Sequence, residues 1–136
     1  MMMQNKKSLK EKLLLFFLGA ARLPIVKPLV TFFFNHMNDF LPYDRLIDGI
    51  YWQAFHHPKH VHPFHILILP KTSIPSLSLA PKNISDLYTD LFSLVQELIE
   101  KFDLEESGYR LITNGGSYQT LPQWHWHLIS ENQHIT

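Results

Sequence analysis

A chain of 136 residues provides for one compact domain and is short for two. Apolar residues at 46% and charged residues at 18% suit a packed core and exclude general disorder. The 12 Lys and Arg balance the 12 Asp and Glu, so the charge excess behind general nucleic-acid binding is missing. With no cysteine, disulfides and thiolate metal sites are excluded as well.

The chain is read as a leader, residues 1–38, followed by a domain, residues 39–136. In the leader Lys6, Lys7, Lys10 and Lys12 precede the apolar run 13–18 and the small residues Gly19, Ala20 and Ala21, the outline of a secretory signal. Glu11 interrupts the basic region and a second apolar block, 29–34, follows. Neither block reaches the ~18 apolar residues that span a bilayer, because Arg22, Pro24, Lys27 and Pro28 intervene. Three readings stand: short helices packed on the domain or on a second copy, a peripheral membrane contact through residues 1–38, and a signal peptide. The packing reading, and with it a cytoplasmic protein, is preferred.

Residues 39–45, with Pro42, read as a connection. Residues 47–55, rich in aromatic and β-branched side chains, predict a strand broken by Gly49 or starting after it. A second strand is predicted over 64–69, where near-continuous apolar character between Pro63 and Pro70 implies burial on both faces. Residues 73–83 hold two prolines and read as a loop or broken helical turn. Ser85 is then the expected N-cap of a helix, with Asp86 in its first turn. Leu87, Leu91, Leu94, Val95, Leu98, Ile99 and Phe102 form its apolar stripe. Gly108 is the expected break before a strand over 109–113, and Asn114-Gly115-Gly116 a tight turn with positive φ. A last strand is expected over 124–130. The fold class is α+β, an antiparallel sheet of about five strands with one long helix.

Seven of the nine histidines fall within 56–65 and 125–127. In Gln123-Trp124-His125-Trp126-His127-Leu128-Ile129 polar and apolar residues alternate, so on a strand Gln123, His125 and His127 share one face and Trp124, Trp126 and Leu128 the other. Same-face neighbours lie about 6.5–7 Å apart, a spacing at which two imidazoles can bracket one phosphate. A His-x-His pair serves equally as a metal site or as a plain polar face. The tryptophans, with Phe64 and Ile66, read as core or dimer surface.

The segment from Tyr109 through Asn114, Gln119, Thr120, Gln123, His125 and His127 to Ser130 resembles the signature of the histidine-triad (HIT) family, His-x-His-x-His with apolar x and two apolar residues after it, preceded by an Asn-Gly turn and a Gln-Ser/Thr pair. Phe55-His56-His57-Pro58 and the run from Pro63 to Lys71 resemble the family's other diagnostic block. The resemblance implies a homodimeric nucleotidyl hydrolase or transferase that works on nucleoside phosphoramidates, dinucleoside polyphosphates or related esters. By position it makes His125 the nucleophile that forms a covalent nucleotidyl-histidine, and His127 a ligand of phosphate oxygens. Asn114, Gln119 and Thr120 match polar positions that contact phosphate or leaving group, and His65 a supporting histidine.

Two departures stand out. Gln123 replaces the first triad histidine, which leaves intact any role carried by the backbone carbonyl. His57 stands where an acidic residue commonly holds the ribose hydroxyls, and a histidine cannot accept with two oxygens. The scheme requires no metal, because a neutral imidazole is itself a nucleophile near neutral pH. Two alternatives are carried beside it. One is a non-catalytic nucleotide-binding module of the same fold. The other is a zinc site drawn from His60, His62, His65, His125 and His127, although no close carboxylate is read near the triad. Against zinc, His56, His60 and His62 read as solvated loop residues.

Overall fold

The computed structural model describes residues 45–57 and 61–132, and within them Gly49 folds the first two strands together. Strand β1 (Ile47–Asp48) pairs antiparallel with β2 (Trp52–His56), so the single strand expected over 47–55 is a hairpin. The Gly49 N–H donates to the Trp52 carbonyl (2.8 Å) across the turn. Asp90 locks it from outside, accepting from the backbone N–H groups of Ile50 (3.1 Å), Tyr51 (2.8 Å) and Trp52 (3.0 Å). A Cβ on residue 49 would lie 2.8 Å from an Asp90 carboxylate oxygen, which is why glycine fits here.

Strand β3 (Phe64–Pro70) is buried along its whole length, as its apolar run requires. It runs one residue further than expected, Pro70 lying opposite Trp52. The chain then crosses a 3-10 turn at Leu77–Leu79 and enters helix α1, Ser85–Lys101. Ser85 is the first helical residue rather than the cap. Ile84 holds the cap position, with no side-chain bond, and Asp86 does lie in the first turn. Leu87, Leu91, Leu94, Val95 and Leu98 are buried, with Ile99 and Phe102 packed at the margin.

Asp103, in the left-handed region at φ 54°, turns the chain into a one-turn helix, α2 (Leu104–Ser107), that periodicity did not foretell. Gly108, at φ 85°, ends it ahead of β4 (Arg110–Thr113). Gly116 supplies the positive φ (57°) expected of the following turn. β5 (Trp126–Ser130) then inserts between β3 and β4, giving an antiparallel sheet in the order β1-β2-β3-β5-β4.

The core lies between this sheet and α1. Trp52, Ala54, Phe64, Ile66, Ile68 and Leu128 point into it from the strands, and Trp124 joins them. Side chains alternate along a strand, so Gln53, His57, His65, Leu67 and His127 belong to the opposite face. An α+β architecture with five strands and one long helix is what the patterning predicts. The leader and residues 58–60, with His60, lie outside the described residues. Among the described residues no helix is long and apolar enough to cross a membrane.

Candidate active site

The backbone leading into β5 is fixed before any functional side chain is placed. Trp124 is the anchor: its N–H donates to the Ile74 carbonyl (2.7 Å), and its indole Nε1 donates to Thr113 Oγ1 (3.0 Å). Its ring meets Trp52 edge to face at 5.0 Å. Thr113 Oγ1 passes its own proton on, donating to the His125 carbonyl (2.7 Å). These bonds take the place of ladder bonds, so the regular strand begins at Trp126, two residues later than expected. The predicted alternation survives. Trp124 and Leu128 are in the core with Trp126 packed against it, while Gln123, His125 and His127 serve the other side.

His125 is buried at 8% exposure, and its Nδ1 lies 2.7 Å from the Gln123 carbonyl oxygen. A carbonyl only accepts, so Nδ1 carries the proton and Nε2 presents a lone pair. Burial holds the His125 ring below its ordinary value of 6.5, partly offset by that same backbone bond. The ring is therefore neutral near pH 7.

His127 follows on the same face, its ring 4.8 Å from that of His125 and nearly perpendicular to it. Register places His127 opposite Leu67 and His65 opposite Ile129, a diagonal pair across β3 and β5. His65 Nε2 and His127 Nδ1 meet at 2.9 Å. His57, at the end of β2, is brought alongside by its N–H to the His65 carbonyl (2.9 Å) and stacks on the His65 ring at 4.2 Å. Desolvation lowers His127 to about 3, with the neighbouring His125, His57 and His62 adding to the effect. His125 and His127 are therefore both uncharged near pH 7, with one lone pair held ready at His125.

Of the residues singled out in the sequence, Gln123, His125, His127, His65 and His57 thus come together. Gln123 is fully buried, its side-chain Nε2 directed at the Thr72 and Trp124 carbonyls at 3.5 and 3.3 Å. Gln119 spends its amide on the carbonyls of Pro75 (2.6 Å) and Leu121 (2.9 Å). Asn114 is half-buried just after β4, and Thr120 is exposed. His56 is not a solvated loop residue. It ends β2, half-buried, with its ring 6.3 Å from Phe102. His62 is half-buried too, its Nδ1 paired with Glu131 at 2.5 Å and its ring edge-on to His65 at 5.3 Å.

Glu131 follows β5 directly and reaches back 69 positions to His62, a carboxylate contact at the margin of the histidine cluster and not on the triad. Thr113 was also missed. Its signal was faint, a threonine ending a strand two residues before the Gly-Gly turn.

An antiparallel sheet backed by one helix, with a buried and a half-buried histidine two residues apart on its open face, defines the class. The family model described as "HIT domain" matches residues 42–134. The chain belongs to the HIT family. It is 27% identical over 97 residues to an uncharacterized HIT-like protein of Helicobacter pylori, covering 69% of this chain and 89% of that one. It is 35% identical over 78 residues to the bis(5'-nucleosyl)-tetraphosphatase (asymmetrical) of Schizosaccharomyces pombe, covering 56% of this chain and 42% of that enzyme. Among solved structures it is similar to a HIT family hydrolase from Clostridium thermocellum (TM-score 0.64, 26% identity, 74% of this chain and 89% of that one). A HIT family hydrolase from Legionella pneumophila gives TM-score 0.66 at 26% identity, over 74% and 92% of the two chains.

Proposed function

We propose that the protein is a nucleotidyl hydrolase or transferase that cleaves nucleoside phosphoramidates, dinucleoside polyphosphates or related phosphate esters through a covalent nucleotidyl-histidine on His125. The observation that carries this reading is the 2.7 Å contact between His125 Nδ1 and the Gln123 carbonyl, which leaves Nε2 unprotonated. In the first step the Nε2 lone pair attacks the α-phosphorus. An N–P bond forms, and the P–N or P–O bond to the leaving group breaks. The leaving group departs with the bonding pair and takes a proton from solvent.

The ring becomes cationic as this bond forms. The Gln123 carbonyl then accepts from a charged donor, a stronger bond than in the free protein, so it stabilises the transition state more than the ground state. A backbone carbonyl does this whatever side chain residue 123 carries, which accommodates glutamine at that position. His127, neutral and accepting at Nδ1 from His65 Nε2–H, would offer Nε2–H to a phosphate oxygen. In the second step water, or another acceptor, attacks phosphorus. The N–P bond breaks, its electrons return to Nε2, and the acceptor's proton passes to solvent. The scheme draws on side-chain and backbone groups alone.

Two relatives carry names consistent with this chemistry, the tetraphosphatase of Schizosaccharomyces pombe and the Clostridium thermocellum hydrolase. The assembly proposed is a homodimer, to be checked by sedimentation at micromolar concentration. The deciding experiment is turnover of an adenosine phosphoramidate panel by the wild type and His125→Ala. Release of nucleoside monophosphate should fall at least about a thousandfold in the variant. Nucleotide binding without turnover in the wild type would overturn the enzymatic reading in favour of a binding module.

A further inference from the structure

The histidine cluster holds more than the nucleophile needs. His57, His65 and His127 each offer a ring nitrogen, and the three nitrogens lie within 4.8 Å of one another. His65 lies on β3, His127 on β5 and His57 just past the end of β2, and the three converge on the face opposite α1. Two of them, His65 Nε2 and His127 Nδ1, are already 2.9 Å apart. A tetrahedral zinc ion with bonds of about 2.0–2.1 Å needs its ligand nitrogens about 3.3–3.4 Å from each other. The one pair at 2.9 Å must open by about half an ångström to reach that value, and no pair starts further apart than 4.8 Å.

We infer that His57, His65 and His127 form a binding site for a divalent transition-metal ion of the zinc class. Three neutral imidazoles are borderline-soft nitrogen donors, suited to zinc and poorly suited to magnesium or calcium, which take oxygen. Three protein ligands leave a fourth position for water or an anionic oxygen. Ligation requires the proton between His65 Nε2 and His127 Nδ1 to leave those two atoms, so that both lone pairs turn to the ion. His62, edge-on to His65 at 5.3 Å and paired with Glu131, lies just outside the three. His125 is not a ligand, because its Nδ1 is committed to the Gln123 carbonyl. His127 belongs to both readings, so the test reads metal binding itself and not turnover.

The opposing explanation is packing alone: His57 stacks on His65 at 4.2 Å and 18°, as two flat rings would without an ion. Substitution by phenylalanine separates the two, because it keeps the ring and removes the nitrogen. The test is zinc titration of chelator-stripped full-length protein against a chromophoric competitor, with folding of every variant checked by circular dichroism. One equivalent should bind, with affinity weakened at least about tenfold in both His57→Phe and His127→Phe. His56→Phe, whose ring faces Phe102 instead, should bind as the wild type does. Failure of zinc to compete at micromolar concentration, or equal binding by wild type, His57→Phe and His127→Phe, would overturn the assignment.

Discussion

Replacing Thr113 with valine should loosen the nucleophile's backbone while leaving every catalytic group in place. The hydroxyl sits between two partners, accepting from the Trp124 indole at 3.0 Å and donating to the His125 carbonyl at 2.7 Å. Valine fills nearly the same volume, so the loss is of hydrogen bonds and not of packing. Trp124 is 1% exposed, and its N–H would be left buried and unpaired, which costs about 1–3 kcal/mol. The lost donation to His125 adds about 1 kcal/mol, for a total of about 2–4 kcal/mol. With a urea slope of about 2 kcal/mol/M, the unfolding midpoint should fall by about 1–2 M. Turnover of the phosphoramidate should fall about tenfold through misplacement of the His125 ring, with KM little changed. Thr113→Ser keeps the hydroxyl and should restore most of the rate. A Thr113→Val midpoint within about 0.25 M of wild type would refute the energetic argument. Lost stability with an unaltered rate would refute the positioning role.

Three further outcomes follow from geometry described above. Asp90→Ala frees three backbone donors at the β1–β2 turn and should cost about 2–3 kcal/mol, measured by urea unfolding. Gln123→His leaves the carbonyl that holds His125 Nδ1, so turnover should change by less than about threefold; a large gain would show that the side chain matters. Asp48 is held below its ordinary carboxyl value first by the hydrogen bond from Lys71, with both Lys71 and Arg45 adding charge attraction. A lowered folded pKa contributes stability above the unfolded value of 3.8 and loses it as pH falls through the folded one. Asp48→Asn should therefore destabilise slightly at pH 7, by less than about 1 kcal/mol for so exposed a pair, and match the wild type near pH 2.

Much of this molecule was legible before any coordinates. The alternation through Gln123, His125 and His127 has the period of a strand and is kept, although the regular strand starts at Trp126 and carries only His127 of the three. The stripe from Leu87 to Leu98 has the period of a helix, and the core lies against it. What periodicity cannot supply is choice among backbone groups. Ser85 has the chemistry of a cap, yet the cap is Ile84, because the position is set by where the backbone turns helical. Helix α2 is one turn long, too short for any pattern, and depends on a left-handed Asp103. Gln119 was matched to a phosphate contact, while its amide is engaged by two backbone carbonyls that only the folded chain brings near. The His62–Glu131 pair and the Thr113 bridge were hidden for the same reason, being contacts across 69 and 12 positions.

The diagonal meeting of His65 and His127 joins residues 62 positions apart in the chain. Helix α1 can form from local contacts, but this meeting exists only once β5 has inserted between β3 and β4. Distant strand pairing is a slow event in folding, since the chain loses loop entropy before any contact offsets it. The chain can thus regain most of its helix and still lack a working site. The candidate site is whole only when β5 has paired with both β3 and β4, so its geometry reports on the completeness of the sheet.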